Sequence, residues 1–402
     1  MIRFTTAGES HGKALTAILE GIPAGLAITA QEINHDLKRR MGGYGRGARM
    51  KIETDEVEIL SGVRAGETIG SPITLVVRNR DWDNWVDVMS AEPDAPGVER
   101  RRKLQRPRPG HADLVGVLKY DRTDARDILE RASARETAAR VACGAVCRKL
   151  LGTFGVEIGS HVVEIGPVRA VVPAELPVPL NAAADESLVR CLDPEATAKM
   201  IALIDAAKDA GDTLGGIVEV VVRGLVVGLG SHVSWDRKLD GRLAQAMMSI
   251  PAVKGAEIGA GFDAARKHGS QVHDEIIRGA RSLTAGFTRK TNRAGGLEGG
   301  MTTGEPLLVR VAMKPISTLM QPLATIDLRT GGAAKAQSER SDVTAVAAMG
   351  VIAEGMAAIV LAQAFVEKFG GDALSEARAN YDGYLARLNA KWNTLRPDDV
   401  AD

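Results

Sequence analysis

Apolar and polar positions follow two periods along this chain, and glycine and proline separate the segments that carry them. Thr29 and Glu32 have capping-box spacing, which predicts a helix running to about Arg40 and ending at Gly42-Gly43. Residues 51–60 alternate apolar and charged side chains and read as a strand, and residues 73–77 as a second. Ser133 and Glu136 repeat the capping spacing ahead of a helix to about Leu151, with Val141, Ala145, Val146 and Leu150 on one apolar face. Two strand-like runs follow before Pro173. Asp193-Pro194 opens a helix that ends at Gly211, with proline at the first helical position. Valine-rich residues 216–229 predict one or two strands, Asp240 the cap of a helix through Ile250, and residues 306–313 another strand. A last long helix is expected over residues 343–369, stopped by Gly370-Gly371. Residues 80–111, with Trp82, Trp85 and prolines 93, 96, 107 and 109, read as irregular.

Interleaved strands and helices predict an α+β or mixed α/β architecture. Neither a Ser/Gly-rich nor a Pro-rich linker divides the chain, and no strict repeat occurs, so residues 1–402 read as one domain with a frayed tail after about residue 395. With 45% apolar side chains, 402 residues suffice for a sizeable core.

Charge narrows the choice of partners. Lys and Arg total 51, as do Asp and Glu, so the basic excess of a general nucleic-acid or acidic-membrane binder is missing. Aromatic residues make up 3%, too few for stacking platforms along single strands. Three cysteines give no disulfide framework and suit a reducing cytosol; Cys143 and Cys147, four apart on a predicted helix, read as buried. The N-terminus lacks the apolar run of a signal peptide, and the apolar stretch 351–365 is broken by Glu354 and Gly355, too short to span a bilayer. The expectation is a cytoplasmic protein.

Candidate chemistry gathers on loops. His11 lies in Gly8-Glu9-Ser10-His11-Gly12, and His111 in Arg106-Pro107-Arg108-Pro109-Gly110-His111-Ala112-Asp113. Glycine and proline on either side let backbone approach a ligand, although a loop histidine is often mere surface. The other histidines (35, 161, 232, 268 and 273) read as structural or surface. Arg40 and Arg46 flank a glycine-rich turn, Arg108 precedes His111, and Arg131 and Arg135 bracket a helix start at Ser133. Helix N-termini beside guanidiniums suit phosphate, and several such clusters in a net-neutral chain point to a small polyanion. The glycine-dense residues 295–304 lead by way of a strand to Lys314-Pro315-Ile316-Ser317-Thr318, either a phosphate- or flavin-holding segment or an ordinary loop. Gly8-x-Ser10-x-Gly12 mimics a hydrolase elbow but comes too early for the required central strand. Gly259-x-Gly261-x-x-Ala264 is a weak dinucleotide fingerprint, and neither phosphate-loop nor zinc spacing occurs.

These motifs also occur together in one order. Gly8-Glu9-Ser10-His11-Gly12, Arg108-Pro109-Gly110-His111-Ala112-Asp113, Arg131-Ala132-Ser133-Ala134-Arg135-Glu136-Thr137, Gly295-Gly296, Lys314-Pro315 and Arg340-Ser341-Asp342 resemble, in sequence order, motifs of the chorismate synthases. The resemblance implies a β-α-β sandwich with helices between two antiparallel sheets, assembled as a homotetramer. It implies reduced FMN as cofactor and a 1,4-anti elimination of phosphate from 5-enolpyruvylshikimate-3-phosphate (EPSP) to give chorismate, without net redox change. On that resemblance Ser10, Arg40, Arg46, Arg108, Arg135 and Arg340 bind substrate. Arg131, Ala132, Ser133, Pro251, Ala252, Gly299, Lys314, Pro315, Ile316, Ser317 and Thr318 contact FMN, with Arg340 close by. His11 is assigned to the leaving phosphate, His111 to the flavin, and Asp342 to a proton relay. Pro251 replaces a polar residue of many relatives, and Ser341 a histidine of some. NADPH is retained as an indirect reductant, with a nicotinamide-nucleotide contact near Arg40 and Arg46, beside supply of reduced flavin by a separate reductase. A self-reducing flavin enzyme and a non-enzymatic FMN-binding protein stay open as alternatives.

Overall fold

Thr29 caps the first helix as its spacing predicts: its hydroxyl accepts the Glu32 N–H at 3.3 Å, and the Glu32 carboxylate accepts the Thr29 N–H at 2.9 Å. The helix, α1, spans Ala30–Met41, and Gly42 closes it by donating to the Arg39 carbonyl. The computed structural model describes residues 1–47, 54–94, 101–279, 282–337 and 341–392.

Two antiparallel sheets flank a helical layer. The first holds β1 (Arg3–Ala7), β2 (Ala14–Glu20), β3 (Val57–Ser61) and β4 (Ile73–Arg78) in the order β1-β2-β4-β3. The second holds β5 (Glu157–Ile165), β6 (Val168–Arg169), β7 (Gly216–Arg223), β8 (Val253–Ile258) and β9 (Leu307–Met313) in the order β8-β9-β7-β5-β6. β9 shows strict alternation, with Leu307, Val309, Val311 and Met313 turned into the core. The longer helices are α1, α2 (Asp113–Tyr120), α3 (Arg126–Ala132), α4 (Thr137–Gly152), α5 (Pro194–Asp209), α6 (Leu239–Met248), α7 (Val346–Phe369) and α8 (Leu374–Trp392).

Between the sheets, α4 packs on the first and α7 on the second, and the two helices pack on each other. Their approach is backbone to backbone, since a Cβ placed on Gly144 would lie 2.5 Å from the Gly355 Cα. The apolar core is continuous from Ile2 to Tyr381 and includes Cys143 and Cys147 of α4. Burial pushes the Cys143 thiol up to about 12 and the Cys147 thiol well above its usual value.

At 24 residues, α7 is long and apolar enough to cross a bilayer, against the sequence reading, but 89% of its most apolar window is buried within the protein. Glu354 does not interrupt it. This fully buried carboxylate accepts from Arg39 at 2.9 and 3.0 Å, Arg148 at 2.5 Å, Arg190 at 3.1 Å, Ser160 at 2.6 Å and Asn181 at 3.1 Å.

Other departures have local causes. The strand expected over 51–60 begins at Val57, and residues 48–53 lie outside the described residues. Ser133 caps a 3₁₀ turn, Ala134–Glu136, rather than α4, and no capping box forms because the Glu136 carboxylate binds Arg140. Asp240 lies inside α6, which starts at Leu239; its carboxylate accepts the Gly241 N–H instead of capping. Residues 216–229 give one strand, β7, and the glycine-dense stretch forms the hairpin Leu297–Glu298/Met301–Thr302. The region 80–111 contains a 3₁₀ turn, Trp82–Asn84, and a one-turn helix, Val86–Met89. Helices α2, α3 and α8 went unanticipated, and the tail after residue 395 lies outside the described residues.

Candidate active site

The loop between β1 and β2 carries Ser10 and His11. Ser10 is buried, and its N–H donates to the Glu130 carbonyl at 2.9 Å. The Glu130 side chain grips the next residue: Oε2 accepts the His11 N–H at 2.8 Å, and both carboxylate oxygens lie 3.0 Å from His11 Nδ1. Arg126, one turn earlier on α3, donates to Glu130 Oε1 at 3.2 Å. Burial works to raise the Glu130 carboxyl, but the hydrogen bond and charge of His11 outweigh it and hold the group below its usual value. The Trp85 indole stacks on the imidazole with ring centres 3.7 Å apart, and the Arg102 guanidinium lies 4.2 Å from the Trp85 ring.

Arginines from distant segments converge beside this loop. Asp55, fully buried at its side chain, pairs with Arg40 at 3.1 Å and with Arg135. Arg40 also donates to Thr137 Oγ1 and the Ala134 carbonyl, each at 3.0 Å. Arg135 reaches Asn79 Oδ1 at 3.0 Å, and the Asn79 amide donates to the Gly12 carbonyl at 2.6 Å. The Arg40 to Thr137 segment and the His11 loop are therefore one hydrogen-bonded network. Burial lowers the Arg40 guanidinium to about 10, with Asp55 opposing that fall. Arg46 pairs with Asp342 at 2.9 Å and donates to the Arg40 carbonyl at 3.4 Å, while Asp342 accepts the Gly47 N–H at 2.6 Å. Asp342 thus joins the cluster from the loop ahead of α7. Arg340 lies outside the described residues.

The second histidine has a similar support. His111 Nδ1 lies 2.6 Å from Asp113 Oδ1, and Arg108 clasps the same carboxylate through Nε at 2.8 Å and Nη2 at 3.0 Å. Burial would raise the Asp113 carboxyl, but hydrogen bonds from His111 and Arg108 hold it well below the usual range. Arg108 Nη1 donates to Thr318 at 2.9 Å, and Lys314 Nζ donates to the Gly110 carbonyl at 2.5 Å. Asp113 begins α2 and Glu130 lies in α3; these helices pack together with Gly116 against Ile128.

The residues assigned to flavin fall into three places. Arg131, Ala132 and Ser133 end α3, and Arg131 is anchored to Thr6 and the Gly8 carbonyl at 2.8–3.1 Å. Pro251 and Ala252 precede β8, where the Ala252 carbonyl accepts the Lys314 N–H at 3.0 Å. Ala252 adopts φ +66°, an uncommon conformation for a residue with a side chain, and one often found where backbone serves a site. In the segment from Lys314 to Thr318, Pro315 lies next to the lysine, Thr213 donates to the Ile316 carbonyl at 2.7 Å, and Ser317 lies beside Gly110. Gly299, at the turn of the 297–302 hairpin, has His232 and Met301 as neighbours rather than the other flavin residues. A Cβ on Gly110 would come within 3.3 Å of Lys314 Nζ, so the glycine sets how close this segment lies to His111. An ammonium, two hydroxyls and backbone amides are donors that suit a phosphate and ring carbonyls, so the residues fit FMN chemically.

The sequence singled out the histidines and arginines but not their buried partners. Glu130 adjoins one recognised motif and Asp113 closes another, so both were within reach. Asp55 and Asn79 had no local signal. The dinucleotide-like glycines follow an antiparallel strand and open a 3₁₀ turn, Gly261–Arg266, so no βαβ unit exists there.

Comparison with known proteins identifies the family. The family model for chorismate synthase matches residues 2–366. The chain is 58% identical over 394 residues to the chorismate synthase of Geobacter metallireducens, covering 97% of this chain and all of the relative. It is 57% identical over 394 residues to that of Salinispora tropica, covering 96% and 99%. A crystal structure of chorismate synthase superposes with a TM-score of 0.77 at 45% identity, covering 97% of this chain and 98% of that one. With motifs, fold and whole-length similarity in agreement, this chain belongs to the chorismate synthase family.

Proposed function

We propose that the cluster around His11, His111 and the Asp55-linked arginines is the site of EPSP elimination, with reduced FMN seated against Lys314 to Thr318. As a family member the protein is a carbon–oxygen lyase acting on a phosphate ester, and the family implies a flavin. The observation that carries the residue assignment is that a buried carboxylate holds each histidine, His11 on a loop bonded through Asn79 to Arg135, Asp55 and Arg40, and His111 beside Arg108.

EPSP carries a phosphate and two carboxylates, a charge load that guanidiniums match in geometry as well as in sign. Phosphate leaves with the electron pair of its C–O bond, and a proton supplied to it eases that departure. His11 is placed to give that proton from Nε2, because Nδ1 faces Glu130. His111, beside Lys314 and Thr318 through Gly110 and Arg108, serves the flavin side. When bound, reduced FMN supplies electron density to the carbon losing phosphate and a base for the substrate proton. Asp342, fixed by Arg46 and Gly47, is the relay for that proton. Ser341 stands where some relatives have histidine, so no imidazole takes part in that relay, and Pro251 offers flavin its backbone alone.

By its family resemblance the protein is read as a homotetramer. The protein is read as a single catalytic domain working in the cytoplasm. It receives reduced flavin from a separate reductase, and any nicotinamide-nucleotide contact falls near Arg40 and Arg46.

An anaerobic assay with EPSP and chemically reduced FMN tests this reading. Stoichiometric chorismate and phosphate without net flavin oxidation are expected. Folded protein that yields neither overturns it.

A further inference from the structure

His11 is held on two sides. Trp85 covers one face of the ring, and Glu130 occupies the Nδ1 edge with both oxygens at 3.0 Å while also taking the His11 backbone N–H. Glu130 is 1% exposed and is itself held by Arg126. An ionised carboxylate only accepts hydrogen bonds. Nδ1 must then carry a proton, and the proton that comes and goes resides on Nε2, which has no hydrogen-bond partner among the described residues.

From this geometry we infer that Glu130 is the positioning residue of His11, fixing the Nδ1–H tautomer and stabilising the imidazolium so that Nε2 is the proton-donating atom. The inference rests on the reading of His11 as the acid in the elimination. The charges around the ring are Glu130 and Arg126 from α3, Arg102 over the Trp85 ring, Asp81 accepting the Trp85 indole N–H, and Glu9 and Lys13 on its own loop. Of these, Glu130 alone contacts a ring nitrogen, so its charge governs which nitrogen is protonated. The orienting carboxylate of a hydrolytic triad acts by the same physics, choosing the tautomer without itself taking the proton.

The direct test needs neither substrate nor flavin, and it reads the wild-type protein. Long-range proton–nitrogen NMR of the ¹⁵N-histidine-labelled protein, with His11 assigned by loss of its signals in His11→Asn, should show Nδ1 protonated when the ring is neutral. The Nε2–H tautomer there would overturn the proposal, even if Glu130→Gln fails to fold. In folded Glu130→Gln the tautomer should shift toward Nε2–H. Its kcat should fall by about ten- to a hundredfold, with the KM for EPSP held within about twofold. The alkaline limb of the kcat profile should move to lower pH, because the cation has lost its counter-charge. Glu130→Asp should restore the tautomer and part of kcat. An unchanged tautomer and an unchanged pH limb in Glu130→Gln would show a merely structural role. Should wild-type protein lack lyase activity, the functional reading fails, while the tautomer measurement still judges the positioning.

Discussion

Gly116 of α2 rests against Ile128 of α3 so closely that a single added methyl group would clash with the isoleucine side chain. The contact has functional weight because Asp113, which holds His111, begins one helix, and Glu130, which holds His11, lies in the other. The separation of the two histidines is therefore set through a residue that touches neither. Gly116→Ala should cost about 1–3 kcal/mol of stability, as overpacking does. It should also lower kcat more than it raises the KM for EPSP. Ile128→Ala should restore much of both in the double variant, because it removes the atoms in the way. Denaturation curves and steady-state kinetics on the four members of the cycle decide this.

Asp55 bridges Arg40 and Arg135 from a fully buried position. Asp55→Asn should leave both guanidiniums misplaced and lower kcat/KM by more than either Arg40→Lys or Arg135→Lys alone. Each lysine substitution removes charge-assisted bonds of about 1.5–3 kcal/mol, roughly ten- to a hundredfold. An additive Asp55→Asn/Arg40→Lys double variant would contradict a shared role.

The pH dependence of stability should carry the signature of Glu354. Burial alone would raise this carboxyl, but Arg39, Arg148 and Arg190 hold it well below 4.5. A depressed carboxylate binds fewer protons folded than unfolded. Its contribution is thus complete above the unfolded value of 4.5 and is lost as pH falls through the folded one. Glu354→Gln should destabilise by about 3–5 kcal/mol at pH 7, since it removes a buried counter-charge shared by three guanidiniums that keep, among the described residues, only Asp36 and Asp185. It should also flatten the loss of stability below pH 4.5. Urea denaturation at a series of pH values measures both.

Cys143 and Cys147 lie side by side along α4 with thiols held protonated by burial. A thiol-specific reagent at pH 8 should leave them untouched in the native protein and modify them on unfolding. Mass spectrometry before and after denaturant would reveal any native reactivity.

What the chain disclosed in advance follows from the range of each interaction. The Thr29 cap, the proline start at Pro194 and the alternation of β9 depend on neighbours within a few residues, and they appear where expected. Asp55 pairs with a residue 15 positions away and one 80 positions away, so nothing near it foretells its partners. Glu354 read as a break in an apolar run, because its arginines arrive from three other segments. The spacing of Ala377, Tyr381 and Leu388 marks the buried face of α8, yet Gly370-Gly371 gave the impression that the chain had finished its helices. Ser133 and Glu136 have the right separation for a cap, but Arg140, one turn later, competes for the glutamate.

The stack of Trp85 on His11 has an optical consequence. Four tryptophans occur in the chain, and of these only Trp85 is buried, its indole against the imidazole proposed as the acid. Indole emission is quenched by a neighbouring imidazolium more strongly than by neutral imidazole. Native fluorescence should therefore follow the protonation of His11, and a Trp85→Phe variant should lose that dependence. The protein would then carry an internal gauge of the charge on its own proton donor, readable before any substrate is added.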